Sequence, residues 1–160
     1  NACADPYLTE RRAAGLLNAS GARQRAGTEH IPTFWSQCLY GASDGTPGRV
    51  GYVFKFMLSD LYDVDKVDRE QITFNATFGQ GNAPLREVRE DLGDLAFVFE
   101  EGNRTTLFMI SGIKGPKDGA GRSTELVANY FLEHKNLDHE ERLARLVEQA
   151  KLHLREWYGE

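Results

Sequence analysis

Apolar and polar residues alternate along the middle of this chain in a way that sets out strands before anything else is known. From Arg49 to Ser59, Tyr52, Phe54, Phe56 and Leu58 fall on one face, with Val53, Lys55 and Met57 on the other. A second alternation places Ile72, Phe74, Ala76 and Phe78 opposite Thr73, Asn75 and Thr77. Strands are also expected over 34–43, ending at the turn-rich run Asp44-Gly45-Thr46-Pro47-Gly48, and over 85–91, a polar edge whose charges discourage further pairing. The chain then reads strand, turn, strand, loop, strand over Leu95–Glu100, Thr105–Gly112 and Thr124–Glu133, punctuated by Glu101-Gly102-Asn103 and by the Gly/Pro/Lys/Asp run 115–122.

The pattern next changes period. Leu143, Leu146, Val147, Ala150 and Leu154 recur at helical spacing, with Trp157 continuing the stripe. Asp138, with Glu141 three residues on, forms a capping-box signature ahead of it. This predicts an amphipathic helix over 138–156 that needs a sheet to lie on. At the other end, Thr9 can cap a helix running from Glu10 toward Arg25, interrupted by Gly15 and Gly21. The expectation is one domain over 1–160: an N-terminal extension with a helix (1–30), strands over 34–133, and the closing helix.

Composition narrows the function classes. A net charge of −5 with acids and bases interspersed gives no basic stripe, which argues against nucleic acid as a partner. No apolar run approaches the roughly 18 residues of a membrane-spanning helix. The start Asn1-Ala2-Cys3 lacks the regions of a signal peptide, as expected of a processed chain. Three sequons, at Asn18, Asn75 and Asn103, make glycosylation and secretion the expectation. In an oxidising compartment Cys3 would pin the N-terminal segment to the strand carrying Cys38; in a reducing one both would remain free thiols.

The search for chemistry returns little. His30, His134, His139 and His153 lack metal-ligand spacing, so no metal is expected. The acids Asp60, Asp63, Asp65, Asp68 and Glu70 lack the glycine and terminal glutamate of a calcium loop. The run 115–124 fails as a phosphate loop, with Pro116 and Arg122 where glycine and lysine belong. No serine sits in a nucleophile elbow. An enzyme is not expected, and no cofactor is implied.

The segment Phe34-Trp35-Ser36-Gln37-Cys38-Leu39-Tyr40-Gly41-Ala42-Ser43-Asp44 resembles the first barrel strand of the lipocalins, in which a tryptophan opens the strand and a small-residue ending leads into the first loop. The closing strands and the 138–154 helix are similar to those of beta-lactoglobulin-like and orosomucoid-like members. The chain departs from the pattern at Thr33, where the family has glycine, and at Lys135, where its basic residue over the tryptophan is expected.

The resemblance implies a mainly β fold: an eight-stranded antiparallel up-and-down barrel, with the C-terminal helix packed outside and Trp35 near the closed end. It also implies a secreted protein that carries or sequesters a small hydrophobic molecule in the barrel cavity. The residues expected to line that cavity are Trp35, Leu39, Tyr52, Phe54, Phe56, Phe74, Phe97, Phe99, Met109 and Tyr130. A second resemblance, to cystatin-like and latexin-like protease inhibitors, rests on Gln37-Cys38-Leu39-Tyr40-Gly41, which approximates the inhibitory Gln-x-Val-x-Gly loop.

Overall fold

A computed structural model describes residues 1–4, 7–26, 28–31, 35–59, 83–112 and 118–158. It contains helix α1 (Glu10–Leu17), strands β1 (Ala22–Gln24), β2 (Glu29–Ile31), β3 (Trp35–Ala42), β4 (Arg49–Ser59), β5 (Leu85–Arg89), β6 (Leu95–Glu101), β7 (Arg104–Ser111) and β8 (Ser123–Glu133), and helix α2 (His139–Tyr158). The strand expected at 72–78 lies outside the described residues.

The eight strands form one antiparallel sheet in the order β1-β3-β4-β8-β7-β6-β5. β1 and β2 follow one another along the same edge of β3, through Ala22↔Ala42 and Ile31↔Trp35, so among the described residues the sheet is seven strands wide. This corrects the expected barrel. An up-and-down barrel pairs each strand with the next and closes the last on the first. Here β4 pairs with β8 along its whole length, Arg49↔Glu133 to Ser59↔Ser123. Among the described residues, β5 and the β1/β2 edge do not meet.

Local rules account for most of the elements. The β6–β7 hairpin turns on Gly102, whose φ of 59° suits the first central position of a II′ turn, where a side chain would be strained. Thr9 Oγ1 accepts from the Arg12 N–H at the start of α1, and Asn18, left-handed at φ 55°, ends that helix by donating to the carbonyls of Ala14 and Gly15. The helix therefore stops at Leu17, not near Arg25, and the residues beyond it form β1. At α2, Asp138 Oδ1 accepts from the Glu141 N–H at 2.9 Å; among the described residues, only this half of the capping box forms.

Alternation gives the sheet two apolar faces. One carries Cys38 and Tyr40 of β3, Val50, Tyr52 and Phe54 of β4, Leu126, Ala128, Tyr130 and Leu132 of β8, Leu107 and Met109 of β7, and Ala96 and Val98 of β6. Both helices pack on it, α1 through Leu16 and Leu17 and α2 through Leu143, Leu146, Val147 and Ala150. The other face holds a separate cluster, Leu95, Phe97, Phe99 and Ile110, with Leu85, Val88 and Phe108 against it.

Candidate functional site

The expected cavity residues divide between these two faces. Tyr52, Phe54, Met109 and Tyr130 lie under the helices, and Phe97 and Phe99 belong to the opposite cluster. Leu39 is half-buried on the face opposite α1 and α2, where its Cδ2 would meet a Cβ built on Gly51 at 2.6 Å and Phe131 Cε1 would meet it at 2.2 Å. Glycine at 51 is thus what lets both side chains lie across β4. Trp35 pairs with Lys55 and Phe56 with Leu126, placing their backbones in β3 and β4. Phe74 lies outside the described residues. No single lining unites Tyr52 with Phe97, because every second residue of a strand points away from its neighbours.

Under the helices, the aromatic residues surround a histidine. His153 of α2 is fully buried. The Tyr130 hydroxyl lies 2.6 Å from its Nδ1, and the Tyr52 hydroxyl lies 2.8 Å from its Nε2 and also contacts Nδ1. Tyr52 and Tyr130 stack across the β4–β8 pair with ring centroids 4.4 Å apart, and Tyr7 meets the imidazole edge-on at 4.7 Å. Burial lowers the His153 pKa to about 4, so at neutral pH the imidazole is uncharged, with one donor and one acceptor for the two hydroxyls. Burial, then the neighbouring Tyr7, holds the Tyr130 phenol well above its ordinary value. The cluster is a packed and satisfied core.

A second polar group fastens α2 to the β6–β7 hairpin. Arg142, buried, bonds Glu100 Oε1, Thr105 Oγ1 at 3.0 Å, and the carbonyls of His134 and Leu137. Glu100 Oε2 accepts from Thr105 Oγ1 at 2.6 Å and from His139 Nδ1 at 2.5 Å. Burial pushes the Glu100 carboxyl up, but the bonds from Thr105, His139 and Arg142 and the arginine charge outweigh it and hold it below the usual range. A threonine, a histidine and a glutamate in contact raise the question of nucleophilic catalysis. Thr105 donates to the Glu100 carboxylate, a weak base once the bonds from Thr105, His139 and Arg142 hold it below its usual range, and the hydroxyl is itself fully buried, away from any substrate.

His134 is also buried. Its Nδ1 accepts from the Asn136 N–H at 3.1 Å, so the proton sits on Nε2, which donates to the Leu17 carbonyl at 2.9 Å and ties β8 to the end of α1. Lys135, proposed from sequence as the basic residue over the tryptophan, is exposed, and the buried cation is Arg142. Arg142 was missed in the sequence because it occupies a helix position next to the apolar stripe. No set of His, Cys, Asp and Glu able to hold a metal occurs among the described residues.

Cys3 and Cys38 form a disulfide with Cα atoms 5.4 Å apart, and it lays the N-terminal segment over β3. Asn18 and Asn103 are exposed, each in a turn, and Asn75 lies outside the described residues. The Gln37–Gly41 segment is the interior of β3, paired with β4 on one side and with β1 and β2 on the other. None of the described helices is long and apolar enough to cross a membrane.

No family model matches the chain, and no match is found among curated proteins or solved structures.

Proposed function

We propose that this chain is a secreted binding protein that holds a small hydrophobic molecule against the face of its sheet opposite α1 and α2. The observation that carries the reading is the row of half-buried apolar residues Leu39, Val53, Phe108 and Phe131 on the face opposite α1 and α2, continuous with a second, buried apolar cluster of Leu95, Phe97, Phe99 and Ile110. A sheet that needed only a core would be expected to make its second face polar, as antiparallel sheets commonly do. The half-buried row runs toward β3, and Arg104 lies 4.2 Å above the Phe131 ring.

The reading keeps the ligand chemistry that the lipocalin resemblance implies and gives up the closed barrel as its container. Of the residues expected to line a cavity, Leu39 stays with the site, Phe97 and Phe99 form the buried cluster beside it, and Tyr52, Phe54, Met109 and Tyr130 belong to the core beneath the helices. The disulfide and the exposed sequons Asn18 and Asn103 support an extracellular setting.

The test is native mass spectrometry of protein purified from its source, together with titration by a panel of apolar fluorophores. A retained small molecule or saturable binding is expected, weakened by Phe131→Ala. A protein that carries nothing and leaves every probe unchanged rejects the reading.

A further inference from the structure

Between the two helices runs a groove of about 240 Å³, lined by Arg12, Gly15 and Leu16 of α1 and by Arg145, Glu148, Gln149 and Leu152 of α2. These residues stand at i, i+3, i+4 and i+7 spacing, so the groove follows the facing sides of both helices. Gln149 is only 4% exposed, and its Nε2 finds no hydrogen-bond partner among the described residues. A buried amide left unpaired costs on the order of 1–3 kcal/mol, which is why such groups are rare unless something else satisfies them.

One helical turn before Gln149, Arg145 donates through Nη1 to the Gly15 carbonyl at 2.7 Å and to the Leu16 carbonyl at 3.4 Å. Among the described residues no carboxylate pairs with its guanidinium. Arg12, Arg145 and Glu148 are the charged residues of the lining. Leu16 and Leu152 supply the apolar part, and a Cβ added at Gly15 would meet nothing within 4 Å, so the space beside that residue is open.

We propose that this groove is a binding site for a small monocarboxylic acid with an apolar tail. Its carboxylate, an acceptor only, takes hydrogen bonds from the Gln149 amide and from the donors of Arg145 that do not serve the α1 carbonyls. The tail lies along Leu16 and Leu152 in the room that Gly15 leaves. The volume is below the roughly 300–1,000 Å³ of drug-sized sites, which sets the ligand class at short-chain acids. The site lies on the helix side of the sheet and is separate from the apolar face proposed above.

The experiment is an NMR titration of the whole chain with sodium hexanoate, with hexan-1-ol as the uncharged control. Hexanoate is expected to shift the Gly15, Leu16 and Leu152 amides and the Gln149 side-chain amide saturably, and hexan-1-ol to do so at least about tenfold more weakly, the worth of a charge-assisted hydrogen bond. Gln149→Leu is expected to cut affinity about tenfold while the unfolding midpoint holds or rises, because an unpaired buried amide has been removed. Gly15→Leu improves helix propensity and fills the groove, so it is expected to abolish binding with the fold intact. Unshifted resonances at saturating hexanoate, equal response to the alcohol, or undiminished binding by Gly15→Leu would overturn the proposal. Each result is independent of whether apolar fluorophores bind the opposite face.

Discussion

His153 is where acid should first act on the fold. Its folded pKa of about 4 lies below the ordinary histidine value of 6.5, because burial among Tyr7, Tyr52, Phe54 and Tyr130 disfavours the imidazolium. Between those two values the unfolded chain takes up a proton that the native state does not. Stability is therefore fully present above about pH 6.5 and is lost as pH falls toward 4, by about 3 kcal/mol for a shift of this size. Urea denaturation from pH 7 to 4 should show that slope. His153→Gln, which keeps a donor and an acceptor without titrating, should flatten it by one proton. An unchanged slope in the variant would place the acid sensitivity elsewhere.

At the scale of elements, α2 is held by an apolar stripe and by one buried charge cluster, and the two respond differently to substitution. Removing Arg142 leaves Glu100, its side chain 13% exposed, without its cation, and strips Thr105 and the His134 and Leu137 carbonyls of a donor. Arg142→Met should cost about 3–5 kcal/mol, as expected for breaking a buried pair on one side. Pairing it with Glu100→Leu should recover much of that, since a packed apolar pair replaces a desolvated ionic one. A double-mutant cycle by chemical denaturation reads the coupling, and additive losses would show that the two residues act separately. Asp138→Ala, at the start of the same helix, should cost about 1 kcal/mol through loss of its bond to the Glu141 N–H.

These elements were unequally legible in the sequence. Strand β4 and helix α2 could be read because their periods, alternation over 49–59 and the stripe through Leu154, are long and regular. The anchor at Arg142 could not, because a single arginine on a helix gives no sign of whether it faces water or a carboxylate 42 residues earlier in the chain. The face of each β6 residue was equally hidden. Leu95-Ala96-Phe97-Val98-Phe99 is apolar throughout and buried on both sides, so only its register, Ala96↔Met109 and Phe97↔Phe108, shows that Met109 and Phe97 point opposite ways.

For the molecule as a whole, the pairing of β4 with β8 is the feature local pattern could not supply, since strand order is a matter of contacts between distant segments. The disulfide acts at the same scale. It joins residues 35 apart, and the segment it holds brings Ala2 N to Ser36 Oγ at 2.8 Å and sets Tyr7 against Tyr52, Phe54 and His153. Closing a loop of that length should contribute about 4 kcal/mol, so Cys3→Ala/Cys38→Ala should lower stability at pH 7 by that order. Loosening the segment should also admit water beside Tyr7 and reduce the desolvation that holds the His153 pKa down. In the variant that pKa should move up from about 4 toward the ordinary value, followed by the imidazole proton shifts, and the acid-dependent slope should narrow accordingly. A variant that loses stability with the His153 titration unmoved would mean that the bridge acts on the unfolded chain alone, and that the N-terminal segment stays seated over the tyrosines without it.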